Sequence, residues 1–491
     1  MPSQPLPHLV IFNPDQWRGD TLGHMGHPAV ATPVLDNLVQ TDAVSFRNAF
    51  CQNPVCTPSR CSFMSGWYPH VRGHRTMHYM MHPDEPVLLR TLKENGYHVW
   101  WGGKNDLVPG QHGFDDYCNV KFNNGDPGSH SPRKWDPARF GPINGDRYYS
   151  FYYGRHENAA GTTGIAWDGD WSNTFGAVDL IRSYQGTQPL CIYLPLGFPH
   201  PPYGVEDPWY SMADRGRVPP RIPSPRDWKG KPSILKGIAQ RQGLQDWTED
   251  QWSELRATYY GMCSRVDHQL GLVIEALRQR GWYDQTALFM FADHGDFTGD
   301  YGLVEKTQNT FEDCLSRVPF IIKPPRGIPV KPRISNALVE LVDFSATVEA
   351  ITGIAPRHTH FGRSLLPVLA GDTDTHRDAV FCEGGRRHGD RQCMELQSPQ
   401  GPEFQYWPRL SLQAAEGPEH ALAVMCRTAT HKYVRRLYEP DELYDLTRDP
   451  QELDNRIDDP ACRSVRDALR ERLLQFLFET SDVTPKNEDR R

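Results

Sequence analysis

Two pairs of polar residues, each placed just after a short apolar run, could bind one cation together. Asp15 and Gln16 follow the first run, and Asp293 and His294 follow a later one. Carboxylates at two strand ends can converge on a single hard cation such as Ca²⁺. The imidazole of His294 adds a nitrogen ligand, which makes Mn²⁺ an alternative. For either aspartate alone, the competing role is a helix N-cap after a strand.

Cys56 opens an eleven-residue window, CTPSRCSFMSG, in which it could act as a nucleophile. If a helix begins near Pro58, Arg60 lies in its first turn, beside amides that favour anions. Two structural alternatives stay open, because Cys56 could be a buried thiol or the disulfide partner of Cys51 or Cys61. A zinc cluster of the three cysteines is disfavoured, since four residues separate each pair and common zinc pairs are spaced differently.

Apolar patterning predicts the elements that must position these side chains. Residues 9–12, 191–194 and 288–291 are short apolar runs that end in polar or turn residues, as buried strands do. Residues 248–280 place apolar side chains at steps of three and four, and Thr248 predicts a capping box. Strands that alternate with helices predict a doubly wound α/β fold, which binds ligands at the carboxyl ends of its strands.

The chain divides into two predicted parts. Residues 1–371 are expected to form an α/β domain with a mostly parallel central sheet and helices on both faces. Residues 372–491 are expected to form a smaller α+β subdomain, with short antiparallel strands and a terminal helix near residues 461–480. Residues 122–172 and 214–247 break the pattern and predict long excursions over the sheet edge, of the kind that often carry specificity.

The first excursion is rich in aromatic residues. Stacking on a sugar or an aromatic ring would suit its tryptophans, although surface aromatics at an interface look the same. The residues concerned are Trp135, Trp167 and Trp171.

Composition excludes several classes of protein. The 491 residues include 53 Lys and Arg against 61 Asp and Glu, so the net charge is −8. An acidic chain binds nucleic acid and anionic lipid poorly, and no apolar run approaches the ~20 residues of a membrane span. The 11 cysteines are scattered, and residues 1–7 lack a basic signal-peptide region. These features predict a reducing, cytoplasmic location without nucleic-acid or membrane partners.

The window that begins at Cys56 resembles the signature of the formylglycine-dependent sulfatases, a family of the alkaline phosphatase superfamily. That signature is C-x-P-S-R, followed five residues later by a small hydroxyl residue and Gly. The resemblance implies that a formylglycine-generating enzyme oxidises Cys56 to an aldehyde, 3-oxoalanine. One hydroxyl of the aldehyde hydrate would attack sulfur, and the second would lose its proton and expel sulfate by C–O cleavage.

The resemblance also implies one divalent cation held by the two polar pairs and the modified cysteine. Ca²⁺ is favoured, and Mn²⁺ or Mg²⁺ are alternatives. Gln16 stands where the family more often has Asp, and it resembles the Asp-Gln start of choline sulfatases and phosphonate monoester hydrolases. The implied metal ligands are Asp15, Gln16, Cys56, Asp293 and His294.

Further positions resemble the residues that contact sulfate in this family. Lys104 matches the family's G-K-x-H element, but Asp106 replaces its histidine. His200 resembles the residue that protonates the leaving oxygen, and Lys306 resembles a later lysine that reaches the sulfate. Arg60 would also hold the sulfuryl oxygens. Three histidines that follow the window either contact substrate or are solvated, namely His74, His78 and His82.

The expected reaction is hydrolysis of a small-molecule or saccharide sulfate ester to alcohol and sulfate. A phosphonate monoester or phosphodiester hydrolase on the same scaffold is the nearest alternative. A non-catalytic anion-binding protein with an unmodified Cys56 is an alternative from another class. The oligomeric state is left open, and a homo-oligomer is compatible with the sequence.

Overall fold

A nine-stranded mixed sheet forms the centre of the molecule. The computed structural model describes residues 6–122, 149–156, 165–391 and 401–486. The strands are β1 His8–Pro14, β2 Val44–Phe50, β3 His98–Gly102, β4 Val120–Phe122, β5 Tyr152–His156, β6 Leu190–Leu196, β7 Tyr203–Glu206, β8 Thr286–Phe291, β9 Arg317–Val318, β10 Phe320–Lys323, β11 Arg333–Glu340, β12 Val380–Gly384, β13 Ala423–Arg427, β14 His431–Arg436 and β15 Glu442–Asp445.

The α-helices lie between these strands and after them. Their bounds are Pro33–Thr41, Cys56–Ser65, Pro69–Arg72, Leu88–Glu94, Gly169–Ser183, Trp209–Met212, Ser233–Gln242, Glu249–Gln279, Asp313–Ser316, Asp343–Thr352, Leu366–Ala370, Trp407–Gln413 and Arg463–Thr480.

The order of the main sheet is β11-β2-β10-β8-β1-β6-β3-β4, with β9 paired to β2. Neighbours from β8 through β4 run parallel, whereas β10 is antiparallel to both β8 and β2. Helices Pro33–Thr41 and Gly169–Ser183 pack on Glu249–Gln279, and Cys56–Ser65 packs on Asp343–Thr352. The predicted α/β class with a mostly parallel sheet is confirmed.

The three predicted core strands are β1, β6 and β8, and they are adjacent in the sheet. Leu9 pairs with Cys191 on one side and with Ala287 on the other. All seven residues of β6 and all six of β8 are buried. Their continuous apolar sequences follow from this burial on both faces.

The long helix Glu249–Gln279 begins as its sequence predicts. The Thr248 hydroxyl accepts a hydrogen bond from the Gln251 backbone N–H, and the Gln251 side chain accepts one from the Thr248 backbone. This reciprocal capping box satisfies two backbone donors that the first turn leaves unpaired.

The excursion at 214–247 is partly helical, which corrects the expectation of a loop. The helix Ser233–Gln242 lies within it and buries Ile234, Leu235 and Ile238. Apolar residues at this spacing form one buried helix face. Burial of this face stabilises a helix even though the flanking residues are rich in Pro, Arg and Lys. In the other excursion, residues 123–148 and 157–164 lie outside the described part of the chain, and the segment ends in the helix Gly169–Ser183.

A separate antiparallel sheet, β12-β13-β14-β15, lies in the C-terminal part of the chain. The helix Arg463–Thr480 packs against it, and the ring of Phe476 stacks on Phe381 with centroids 3.8 Å apart. The Glu383 backbone N–H donates to the Gln52 carbonyl oxygen, which ties β12 to the segment that precedes Cys56. The division at residue 372 stays a prediction.

Within the described ranges, no helix has the length and apolar content that crossing a bilayer requires.

We expect Thr248→Ala to destabilise the protein by about 0.5–2 kcal/mol, because it removes the capping hydroxyl. The thermal midpoint measured by circular dichroism should fall. Gln279→Ala, in the last turn of the same helix, is the matched control and should change the midpoint little. Equal thermal midpoints for Thr248→Ala and the unchanged protein would contradict the prediction that this cap stabilises the protein.

Candidate active site

Four neighbouring strands deliver polar side chains to one edge of the sheet. Asp15 follows β1, Asp293 follows β8, His200 follows β6 and Lys104 follows β3. Because these strands are parallel and adjacent, their carboxyl ends meet at the same edge.

Cys56 lies at the centre of this group as the first residue of the helix Cys56–Ser65. Its thiol donates to Asp15 Oδ1 at 3.4 Å, and its Sγ lies 3.2 Å from His294 Nε2. One ligand atom from each of Asp15, Cys56, Asp293 and His294 lies within 4.8 Å of the others, and all four side chains are buried. The structure therefore brings together four of the five predicted metal ligands.

The chemistry of this group fits a divalent cation. Asp15 and Asp293 supply buried carboxylates, which hard cations prefer. His294 Nδ1 lies 2.9 Å from the Gly295 carbonyl oxygen. A proton on Nδ1 would leave the Nε2 lone pair facing the carboxylates, as in many metal-bound histidines. Burial opposes ionisation of Asp15, but Lys104 and the other nearby cationic groups hold its pKa well below the usual range.

Gln16 lies beside the group, with its side-chain amide engaged by other residues. Its Oε1 accepts from Lys306 Nζ at 2.6 Å, and its Nε2 donates to Asp296 Oδ2 at 2.5 Å. Its backbone N–H donates to Asp293 Oδ1 at 3.1 Å. Burial raises the pKa of Asp296 to about 6. Gln16 thus orients Asp293 and Lys306, and its role as a metal ligand stays a prediction.

The position of Arg60 differs from the sequence expectation. The helix begins at Cys56 and not at Pro58, so Arg60 lies beyond the first turn. Its guanidinium is fully buried, with Nη2 lying 3.1 Å from Asp15 Oδ2 and 2.9 Å from Asp293 Oδ2. The expected contact with sulfuryl oxygens is therefore replaced by a bridge that neutralises and orients two carboxylates.

A cavity of about 640 Å³ opens onto Cys56, and both predicted lysines and His200 line it. Its remaining wall is largely apolar, and the sequence reasoning missed most of that wall. The newly found lining residues include Met77, Met80, Phe404, Tyr406 and Arg409. Residues 404–409 lie far from Cys56 along the chain and follow no pattern that would have identified them.

Lys104 links the cavity to the buried carboxylates. Its Nζ lies 2.6 Å from Asp15 Oδ2, 3.5 Å from Cys56 Sγ and 2.8 Å from Asp106 Oδ2. Burial disfavours its charge, but Asp106 and Asp15 raise the pKa of Lys104 well above its usual value. Asp106, which stands in place of the family histidine, therefore lines the cavity as the partner of a cation.

His200 and Lys306 form a second polar pair at the cavity. Lys306 Nζ lies 2.9 Å from His200 Nε2, and His200 Nδ1 lies 2.5 Å from the Pro201 carbonyl oxygen. Burial and then the Lys306 ammonium hold the pKa of His200 well below its usual value. The imidazole is thus neutral here and accepts from Lys306.

The two cysteines nearest Cys56 in the sequence do not join the group. Cys51 and Cys61 are free buried thiols, and Cys51 donates to the Leu315 carbonyl oxygen at 3.9 Å. Over the described ranges, a disulfide with Cys56 and a cluster of the three cysteines are both absent.

The three predicted histidines separate in the structure. His78 lines the cavity, whereas buried His74 lies 3.0 Å from a carboxylate oxygen of Glu85. The backbone N–H of His82 donates to the same Glu85 side chain, so two of the three stabilise a loop.

The tryptophans that were expected to stack on a substrate do not share one position in the structure. Trp171 is buried and donates to Glu206, which excludes it from stacking on a substrate. Trp167 stacks on Phe175, with ring centroids 5.3 Å apart. Trp135 lies outside the described residues.

Comparison with known proteins agrees with this geometry. The family model described as Sulfatase matches residues 7–354. Arylsulfatase K of Danio rerio is 26% identical over 75% of this chain and 69% of its own length. An arylsulfatase of Clostridium perfringens is 24% identical over 96% of this chain and 94% of its own length.

A solved structure shares the fold. The phosphonate monoester hydrolase of Agrobacterium radiobacter superposes with a TM-score of 0.72 at 23% identity, covering 98% of this chain and 100% of that chain.

The chain belongs to the sulfatase family, within the alkaline phosphatase superfamily, because the family match spans most of its length. Its arylsulfatase relatives class it as a sulfuric ester hydrolase. The family implies a metal ion and a formylglycine-type modification of the signature cysteine.

We expect Arg60→Lys to weaken the binding of a divalent cation, titrated as Ca²⁺, Mn²⁺ and Mg²⁺ in turn, by about 10–100-fold, because an ammonium cannot reproduce the planar bridge between Asp15 and Asp293. Isothermal titration calorimetry measures this Kd. Arg72→Lys is the matched control, since the Arg72 side chain is 53% exposed. An unchanged Kd in Arg60→Lys would show that the bridge does not orient the carboxylates for a metal.

Proposed function

We propose that this protein hydrolyses a sulfate monoester to an alcohol and sulfate, with Cys56 as the site of the nucleophile after oxidation. The observation that carries this proposal is the position of Cys56. Its side chain lies among Asp15, Asp293 and His294 and faces a cavity lined by two lysines. This arrangement suits an anionic group whose charge increases in the transition state.

The unmodified thiol is poorly suited to attack. Burial and the Asp15 carboxylate raise the pKa of Cys56, so the side chain is held as a neutral thiol. Only a thiolate is strongly nucleophilic. An aldehyde hydrate at this position would supply one hydroxyl to attack sulfur and a second to release sulfate. A formylglycine-generating enzyme is therefore the proposed maturation partner.

The proposed metal is a single divalent cation, with Ca²⁺ favoured and Mn²⁺ or Mg²⁺ as alternatives. Asp15, Asp293 and His294 would hold it beside residue 56, with Gln16 as the remaining predicted ligand. When bound, the ion would acidify the hydrate and neutralise oxygens of the sulfate group. Arg60 bridges Oδ2 of Asp15 and Oδ2 of Asp293 and so aligns both carboxylates, whereas the Cys56 thiol contacts the other oxygen of Asp15.

Lys104 and Lys306 are the proposed sulfate-binding cations. Both line the cavity and lie close to Cys56 or to its neighbours. A bound sulfate ester would offset the Lys306 charge that now suppresses protonation of His200. His200 Nε2 could then take up a proton and donate it to the leaving oxygen, which is the general acid role.

The apolar cavity wall favours an alcohol with an aromatic or other apolar body. Met77, Met80, Phe198, Phe404 and Tyr406 supply this wall. The names of the arylsulfatase relatives support the same substrate class. We retain the cytoplasmic location as a proposal.

The second candidate function is hydrolysis of a phosphonate monoester or phosphodiester. It is favoured by the Asp15–Gln16 start and by the shared fold of the Agrobacterium hydrolase. A panel of 4-nitrophenyl sulfate, 4-nitrophenyl phenylphosphonate and a bis-aryl phosphodiester separates the two functions. We expect the highest kcat/KM for the sulfate ester. A sulfate value far below both phosphorus esters would favour the second function.

We expect Cys56→Ala to abolish turnover while the circular dichroism spectrum stays native, because the residue carries the nucleophile and not the fold. Mass spectrometry of the native tryptic peptide should show the aldehyde at residue 56. Cys61→Ala, which alters another buried thiol of the same helix, is the control and should retain turnover. If the protein is active and its Cys56 is still a thiol, the proposed modification is wrong. If the protein is inactive and its Cys56 is still a thiol, the non-catalytic alternative is favoured.

We expect His200→Ala to slow hydrolysis of esters with poor leaving groups by about 10²–10⁴-fold and to affect activated aryl esters much less. The reason is that a good leaving group needs no proton. The measurement is the dependence of kcat on the pKa of the leaving alcohol, in the variant and in the unchanged enzyme. If His200→Ala lowers kcat equally for all of these esters, His200 positions Lys306 and does not protonate the leaving oxygen.

A further inference from the structure

A second group of metal-ligating side chains lies in the C-terminal part of the chain. His388, Glu416 and His420 each contribute one ligand atom, and these atoms lie within 4.8 Å of one another. His388 follows β12, whereas Glu416 and His420 lie between the helix Trp407–Gln413 and β13. The three are separate from the described residues that line the active-site cavity.

His420 provides the observation that points to a ligand. Its side chain is 1% exposed, and its Nδ1 is within hydrogen-bond distance of the Ala415 carbonyl oxygen. A proton on Nδ1 places the lone pair on Nε2. In the described structure, that Nε2 is buried and makes no hydrogen bond. Leaving a buried polar atom unpaired is unfavourable, and a bound cation would satisfy it.

The other two side chains are held in place by their neighbours. Glu416 Oε1 accepts from Arg386 Nη1 at 2.8 Å and from the Gly389 N–H at 3.3 Å. Glu416 Oε2 lies 3.9 Å from His420 Nε2. The His388 ring stacks on Tyr438 at a centroid distance of 3.8 Å and meets the His420 ring edge-on at 5.0 Å.

We propose that His388, Glu416 and His420 form a zinc site. Two imidazoles and one carboxylate are ligands that Zn²⁺ accepts in tetrahedral sites, with water in the fourth position. Ca²⁺ prefers a shell of oxygens and suits this set poorly. His388 and Glu416 are exposed, so Zn²⁺ from solution can reach the ligand atoms.

The position of the site indicates what the zinc would do. The helix Trp407–Gln413 follows Tyr406, which lines the active-site cavity, and it also carries Arg409. Arg386 Nη2 lies 3.4 Å from the Gln413 carbonyl oxygen and 3.3 Å from that of Ala415. A zinc ion joining His388 to Glu416 and His420 would anchor the end of this helix and so stabilise the cavity wall.

The test uses the full chain with the active site saturated. Protein stripped with a chelator is placed in excess Ca²⁺ and titrated with Zn²⁺ by calorimetry. The unchanged protein is expected to bind one equivalent of Zn²⁺. His388→Ala and Glu416→Gln are expected to lose this binding or weaken it at least ~10-fold. Both residues are exposed, and circular dichroism without zinc verifies that the variants are folded.

Glu419→Gln is the matched control, because it removes a neighbouring carboxylate outside the group. It should bind zinc like the unchanged protein, and in both proteins zinc should raise the thermal midpoint. The same zinc Kd in the unchanged protein, His388→Ala and Glu416→Gln would overturn the proposal, as would the lack of zinc binding in all of them.

Discussion

The architecture of the site depends on one buried interaction, in which the Arg60 guanidinium lies between the carboxylates of Asp15 and Asp293. Two carboxylates brought together without water would repel each other and take up protons. The guanidinium offsets that repulsion, and its rigid fork fixes the orientation of both side chains. The helix Cys56–Ser65 supplies both this cation and the residue proposed as nucleophile, so one element sets the spacing between them.

Much of the fold and the centre of the site could be predicted from local sequence. The strands β1, β6 and β8 are buried on both faces, so their apolar runs are unmistakable. Polar residues that directly follow parallel strands must meet at one sheet edge, which explains the correct grouping of Asp15 and Asp293. Cys56 was identified because its window resembles a known signature, and periodicity alone would not have identified it.

The sequence could not supply features that depend on tertiary contacts. The expectation for Arg60 assumed a helix that begins near Pro58, but the helix begins at Cys56, and the contacts of the guanidinium with Asp15 and Asp293 depend on tertiary packing that no local pattern encodes. The cavity wall at Phe404 and Tyr406 arises from a segment whose sequence carries no signature motif. The neutral state of His200 results from its burial and then from the nearby Lys306 ammonium, which lower its pKa, and no pattern in the chain encodes either of them.

The cavity combines side chains from inside and from outside the region that the family model matches. Cys56, Lys104, His200 and Lys306 all lie within the matched family region, residues 7–354, whereas Tyr406 and Arg409 lie beyond it. A chain with the same catalytic residues can therefore carry a different cavity wall at these two positions. Substrate preference would then depend in part on residues beyond the family match, and the signature cysteine alone would not distinguish enzymes that release different alcohols.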